Sequence, residues 1–502
     1  MKKKSLLLTS ATLLLALGSL SACATTKKSV VVWVGSESVE YYREKASEFK
    51  KANPDFGLKI SIVGADAGSA GGQMVSDNTA CGDIVTIASD NIGKLSQLSY
   101  IAPIIDEETI KQVEDDNPAS FVKAMENILG NDEKYHYTFG VPYISQALFL
   151  YYDTRYVTDE EAKTFEGLEQ AAARYDSEHN VKGTKSYTVT GSDGFNFSFS
   201  ILAGRMEDNK FSSSLRLYEG SKARDCYAQD NDQVAVIKWM QRSVKATNGG
   251  LLESDSPWAT NIENHKALSV IGGAWHYKSF KDAVTENGET HMGCMPIPTF
   301  TLTAEDVEDI NDVVYPNDPD LPEDLRGVTD EAPEAGTVFA GGSFVDCKVF
   351  VINMATMDGD VDKYYQLCKL LRYFSSKDIQ KGSFIEALNV PAFDNSQAFI
   401  EEVKDEVDNT AYLMAKAQTG MNSHGIPQPF TTGALNAAYY SKGGPGYYLN
   451  AITNKGGAGA EVDGPKGIRE ILWRMEYLWK NSKAATETIY PGTYPAATTL
   501  SN

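Results

Sequence analysis

An α/β architecture with a largely parallel sheet is the fold class this sequence predicts. The near-continuous apolar run Val30–Val34 reads as a buried parallel strand, and Asp83–Ala88 reads as another strand. Segments of helical periodicity alternate with them. At 502 residues the chain exceeds what one hydrophobic core supports, so two or more domains are expected.

The first residues read as an export signal. Lys2-Lys3-Lys4 form a positive start, and Ser5–Gly18 is an apolar run too short for a membrane span. Leu20-Ser21-Ala22-Cys23 follows. Residues 24–29 form a short polar tether.

In order, Val30–Val34 ends at Gly35-Ser36-Glu37-Ser38. Val39–Ala52 then carries Val39, Tyr42, Ala46 and Phe49 on one helical face. Leu58–Val63 alternates as a strand, and Asp83–Ala88 closes on Ser89-Asp90-Asn91. Ligands of such sheets sit beyond the carboxyl ends of the strands, which marks Ser36–Ser38 and Asp90-Asn91. Phe121–Leu129 reads as a helix. Ala147–Tyr152 and Tyr187–Thr190 read as strands, the latter followed by Gly191–Gly194 and the aromatic run Phe195–Phe199. Val234–Val244 is helical, with Val236, Trp239 and Met240 on a face.

The apolar run Leu268–Ile271 stops at Gly272-Gly273, and Trp275 follows the turn. An aromatic presented just beyond a strand is a way to wall a cleft; a core tryptophan is the alternative. Met295–Phe300 reads as an extended chain crossing, because its two prolines disfavour helix in their neighbours. Residues 304–335 hold twelve acids, one arginine and four prolines and read as an exposed acidic insertion. No EF-hand spacing occurs there. Lys348–Ile352 is a strand, Tyr364, Leu367, Cys368, Leu371 and Phe374 define a helix, and Asp405–Gly420 is another. Lys455–Gly467 is glycine-rich, and a final amphipathic helix starts near Ile468.

The formal charge of −22 becomes more negative once the three N-terminal lysines are removed, which argues against nucleic acid as a partner. Six cysteines show no CxxC or other metal-ligand spacing, and most read as small core residues.

Leu20–Cys23 resembles the bacterial lipoprotein box, which implies lipidation of Cys23 and anchoring to the outer face of the cell membrane. The segments VVVWVGSES, DIVTIASDNIGKLSQL, GVPYISQALFLYYDTRYV, GSDGFNFSFSILAG, ALSVIGGAWHYKSF, CMPIPTF, FAGGSFVDCKVFVINM and AKAQTGMNSHGIPQPF follow in order. Together the chain resembles extracellular solute-binding proteins of carbohydrate ABC importers, of the maltose/multiple-sugar type. That resemblance implies a two-lobed α/β fold with several inter-lobe crossings, near 140–145, 295–300 and 389–402. It divides the chain into a signal (1–22), a tether (23–29), lobe one (30–140 plus 301–395) and lobe two (141–300 plus 396–502).

The resemblance also implies a monomer that captures a mono- or oligosaccharide and delivers it to a membrane permease, without catalysis and without a cofactor. Trp275 and Phe195 match stacking aromatics. Glu37, Asp90 and Asp193 match carboxylates that accept sugar hydroxyls, with Asn91 beside them. Gly342 and Ser343 match a close-approach loop. Gly433 stands where the family often has a tryptophan; either Phe430 substitutes for it or one sugar subsite is missing. Two other readings remain open. A ferric-ion or polyamine binder of the same fold would draw on pairs such as Tyr439-Tyr440 or Tyr447-Tyr448. A surface glycoside hydrolase would need two facing carboxylates, such as Glu37 and Asp90. No HExxH, GxSxG or P-loop motif is present.

Overall fold

The computed structural model describes residues 29–128, 136–189, 203–208, 210–212, 231–246, 249–252, 257–310, 332–357, 359–427 and 468. Three sheets organise them. The first has the order β15-β14-β3-β1-β2, formed by β15 (Gly425–Pro427), β14 (Ser343–Ile352), β3 (Ile84–Ala88), β1 (Ser29–Val34) and β2 (Lys59–Gly64). A sixth strand, β4 (Val141–Gln146), pairs with β14. The β1–β2 and β1–β3 pairs are parallel, whereas β14 runs antiparallel to β3. The carboxyl ends of β1, β2 and β3 and the start of β14 therefore share one edge.

One face of this sheet packs Tyr42, Phe49, Phe350, Leu367 and Phe374. The other packs Met74, Leu95, Phe121, Phe139 and Cys347. The helices that cover it include α1 (Val39–Ala52), α2 (Ala67–Asp77), α3 (Ile92–Gln97) and α7 (Val361–Phe374). Tyr42, Ala46 and Phe49 of α1 are buried at the helical spacing the sequence shows.

The second sheet has the order β9-β6-β10-β5-β11: Leu251–Leu252, Tyr187–Val189, Ser269–Gly273, Leu148–Asp153 and Met292–Met295. Its core contains Tyr151, Phe165, Trp239, Phe280 and Phe300. The third sheet orders β8-β7-β13-β12, from Lys210–Ser212, Gly204–Glu207, Val338–Ala340 and Thr299–Thr301. It shares that core through Phe300 and Phe339, whose rings stack at 5.8 Å.

The expected division of the chain needs three corrections. Residues 141–146, expected in lobe two, form β4 of the first sheet, so the first crossing lies at Gln146–Leu148. Residues 295–300 are no crossing to lobe one. Thr299–Thr301 pairs with Val338–Ala340, and Phe300 stacks on Trp239 at 3.8 Å. Among the described residues, the chain next leaves the second core between Ala340 and Ser343. Third, the ends of the acidic stretch are docked: Asp306 is buried, closes a capping box with Thr303 and pairs with Arg242 at 3.0 Å, while Ile310 is fully buried. Residues 311–331 lie outside the described set.

A further crossing follows α7. α8 (Lys377–Ala387) contributes Ile379 to the first core and Phe384 to the second, and Val390, Phe393 and Phe399 continue the second. α9 (Ser396–Glu402) and α10 (Asn409–Gly420) follow on that core. The helix expected over Phe121–Leu129 is shorter than its apolar spacing suggests. It ends at Ala124, and Glu126–Ile128 pairs antiparallel with His136–Thr138. Cys81, Cys294, Cys347 and Cys368 are free and buried, as core residues.

Candidate functional site

A cleft of about 440 Å³ opens where the two cores meet, lined by Ser36, Glu37, Asp66, Gln146, Trp275, Tyr277, Lys278, Lys348 and Asn389 among others. It sits on the edge of the first sheet where the three parallel strands end, the position this topology favours for a ligand.

On the first-sheet side, β1 ends in a short helical turn, Ser36–Ser38. Glu37 is exposed there and folds back so closely that a Cβ on Gly35 would stand 2.2 Å from its Oε1. Glycine at 35 is what lets the carboxylate lie over the strand end. Asp66 also reaches the cleft but is committed to α2: its carboxylate accepts the N–H groups of Gly68 and Ser69 at 3.2 and 3.0 Å.

On the second-sheet side, β10 stops at Gly273 and Trp275 sits on the next turn. Trp275 is 46 % exposed, the only tryptophan among the described residues that counts as an exposed large hydrophobic. A Cβ on Gly273 would meet its ring at 2.2 Å. The Tyr151 hydroxyl donates to the Gly273 carbonyl at 3.0 Å, fixing the strand end beneath the ring. Next to it, burial pushes His276 down to about 4, so its imidazole is neutral at physiological pH.

Asp90 and Asn91 form the turn between β3 and α3. Both are half-buried, and neither borders the cleft directly. The Asn91 amide donates to Asp90 Oδ1 at 2.6 Å and packs against Gly71 of α2, where a Cβ would lie 2.4 Å away. Desolvation raises Asp90 to about 6.

Ser343 departs from the expectation of a ligand contact. It is fully buried, and its Oγ accepts the N–H of Leu148 at 2.9 Å. Its hydroxyl therefore joins the first strand of one sheet to the crossing into the other. Gly342 is buried in the same crossing. Asp193, Phe195, Phe430 and Cys23, with the tyrosine pairs at 439–440 and 447–448, lie outside the described residues.

The crossings beneath the cleft are tied by buried polar groups that the sequence did not single out. The Asn389 amide donates to the hydroxyls of Ser38 and Ser383, both at 2.8 Å. The Gln418 amide donates to the Ser145 carbonyl at 2.7 Å, and the Ser145 N–H donates to Val390 O at 2.9 Å. Gln146 and Lys348 also reach the cleft, from β4 and β14. Their one sequence signal is a polar residue bordering an apolar run. Among the described residues, no group of three or more His, Cys, Asp or Glu could hold a metal ion. No helix among them is long and apolar enough to cross a membrane.

A family model described as bacterial extracellular solute-binding protein matches residues 44–411. The chain belongs to that family. Its similarity to a maltooligosaccharide ABC transporter solute-binding lipoprotein of Streptococcus pneumoniae is 23 % identity over 281 residues, covering 54 % of this chain and 60 % of the relative. The chain thus spans about three fifths of the length of the curated relatives it matches.

Solved structures show the same fold. A maltodextrin binding protein of L. casei without ligand aligns with a TM-score of 0.62 at 15 % identity, covering 90 % of this chain and 98 % of that one. A maltose-binding periplasmic protein of Listeria monocytogenes in complex with maltose aligns at 0.62 and 15 %, covering 93 % and 100 %. A Streptococcus pneumoniae protein in complex with maltopentaose aligns at 0.59 and 16 %, covering 90 % and 100 %. The fold of this family member is the two-lobed α/β type.

Proposed function

We propose that this protein is the capture component of a carbohydrate ABC importer, lipid-anchored through Cys23 outside the cell membrane. In this reading it takes a maltooligosaccharide-like sugar between its lobes and hands it to a permease unchanged. One observation carries the reading: an exposed indole on one core and a carboxylate on the other line a single cleft at the carboxyl edge of a parallel sheet. A pyranose has an apolar C–H face and a rim of hydroxyls. Trp275 suits the face, at about 25 cal/mol per Å² of apolar area covered. Glu37 suits the rim, because a carboxylate accepts hydroxyl hydrogens in charge-assisted bonds. Asp90 and Asn91 would extend that polar side, with Gln146 and Asn389 at the base. Asp193, Phe195 and Phe430 complete the proposed set.

Capture by closure requires the ligand to favour the closed form, since equal affinity for both forms shifts nothing. A ligand touching Trp275 and Glu37 together would meet that condition, and hinge closure is general among two-lobed binding proteins. The test is a thermal-shift and calorimetric panel of maltose, maltopentaose, unrelated sugars, spermidine and ferric ion. A maltooligosaccharide should raise the melting temperature and bind without release of shorter products. Selective response to iron or spermidine, or chromatographic detection of cleaved sugar, would replace the proposal with one of the two other readings.

A further inference from the structure

We infer that Lys348 is a specificity-determining residue of the cleft: its ammonium and the Glu37 carboxylate, both carried by the first sheet, bracket a vicinal diol of the captured sugar. The inference rests on the sugar-capture reading and adds to it the hydroxyl pair that the first sheet demands.

The strand pattern explains the position. One face of β14 runs Ile352, Phe350, Lys348. Ile352 and Phe350 are fully buried in the first core, whereas Lys348 is half-buried and lines the cleft. A strand presents the same face every two residues, so an apolar side chain at 348 would continue the core, and a lysine ends it. Its neighbours across the ladder are Ala88 of β3 and Ile144 of β4. Neither side chain can accept a hydrogen bond.

The ammonium therefore lacks a protein partner. Every other half-buried lysine or arginine among the described residues is held by a hydrogen bond, an ion pair or a ring. Lys185 donates to Ala246 O, Lys238 to Glu308 O, and Lys363 to Asp83. Among the described residues no such contact reaches Lys348. Asp346, two residues along β14, feels its charge, yet that carboxylate accepts the Ser89 hydroxyl and the Cys347 N–H instead. A cation drawn partly out of water with no acceptor costs stability, and such an unmet group calls for an explanation. A ligand that brings the acceptor supplies one.

Glu37 faces the same cleft and forms no ion pair with Lys348 or with any other described residue. β3 lies between β1 and β14, so the two backbones stand roughly 10 Å apart. Because both residues stand on one sheet, hinge motion leaves the gap between them unchanged. An ammonium only donates and a carboxylate only accepts. A vicinal diol answers both at once, with an oxygen for Lys348 and a hydroxyl hydrogen for Glu37. An anionic sugar fits less well, because Glu37 and Asp66 share the cleft and the chain carries a formal charge of −22. Lys278, the other lysine of the cleft, is exposed and pairs with Asp282 at 2.8 Å.

Calorimetry on the full-length chain tests the bracket. Lys348→Met keeps the unbranched stem and removes the donor. Its affinity for maltopentaose should fall about 10-fold or more, with the ligand-free melting temperature unchanged or raised because no protein contact is lost. The second arm uses maltose analogues that each lack one hydroxyl. Wild-type protein should bind two of them, deoxygenated at adjacent carbons, at least about 10-fold more weakly than maltose. One of those losses should disappear in Lys348→Met and the other in Glu37→Gln. Each comparison is made within one folded protein, so this arm decides even where a variant loses stability. Equal losses in all three proteins overturn the inference, as does unaltered maltopentaose affinity in Lys348→Met. Tighter wild-type binding of a maltooligosaccharide oxidised to its carboxylate overturns it in favour of an anionic ligand. A wild-type protein that ignores every saccharide overturns the sugar-capture reading as well.

Discussion

The first sheet meets the cleft chiefly with polar chains, and the second meets it with two rings and Lys278. Glu37, Gln146, Lys348 and Asn389 stand on or beside one core, whereas Trp275 and Tyr277 belong to the other. Both rims use the same device: a strand ends in glycine, and the next turn lays a side chain back over it, Glu37 over Gly35 and Trp275 over Gly273. A similar glycine-then-turn construction with different side chains on each rim makes the cleft asymmetric. A ligand with one apolar face and one polar rim fits that asymmetry in a single orientation.

The sharpest way to break this contrast is to remove its apolar half. Trp275→Ala should weaken maltopentaose binding by about 10- to 100-fold, the loss expected for about 1.5–3 kcal/mol of ring burial, with the melting temperature nearly unchanged because the ring is exposed. Next comes the polar half: Glu37→Gln should cost about 3- to 10-fold in affinity, as one charge-assisted bond becomes neutral. Calorimetry reads both. Gly273→Ala asks whether the indole must lie over the strand end. The added methyl has to displace a flexible ring rather than backbone, so a severalfold loss is expected, smaller than that of Trp275→Ala.

Two stability predictions separate the cleft from its supports. Asn389→Ala strips the buried donor from Ser38 and Ser383 and should lower unfolding free energy by about 1–3 kcal/mol. Arg242→Ala leaves the buried Asp306 carboxylate without its cation and should cost about 2–4 kcal/mol, at the lower end because Arg242 is part-exposed. Denaturant titration measures both. A neutral Arg242→Ala would show that the start of the acidic stretch is not held as the structure places it.

Much of this contrast was legible in the sequence, for local reasons. Val30–Val34, continuously apolar, and the largely apolar Leu268–Ile271 announce strands, and a bare tryptophan just after Gly272-Gly273 announces a presented ring. Features set by pairing between distant segments were not legible. Met295–Phe300 carries two prolines and reads as a crossing, yet Phe300 is claimed by Trp239 and Phe339. Ser343 follows two glycines and reads as a ligand loop, yet its hydroxyl is taken by Leu148. At the start of the acidic stretch, composition did not reveal that Asp306 and Ile310 are buried.

Small-angle scattering with and without saturating maltopentaose tests the central claim most directly, because only a ligand gripped by both rims draws the two cores together. The radius of gyration should fall on ligand addition in the wild type and stay unchanged in Trp275→Ala at the same ligand concentration. A wild-type protein that binds the sugar at full occupancy with no compaction would contradict a cleft whose two rims share one ligand.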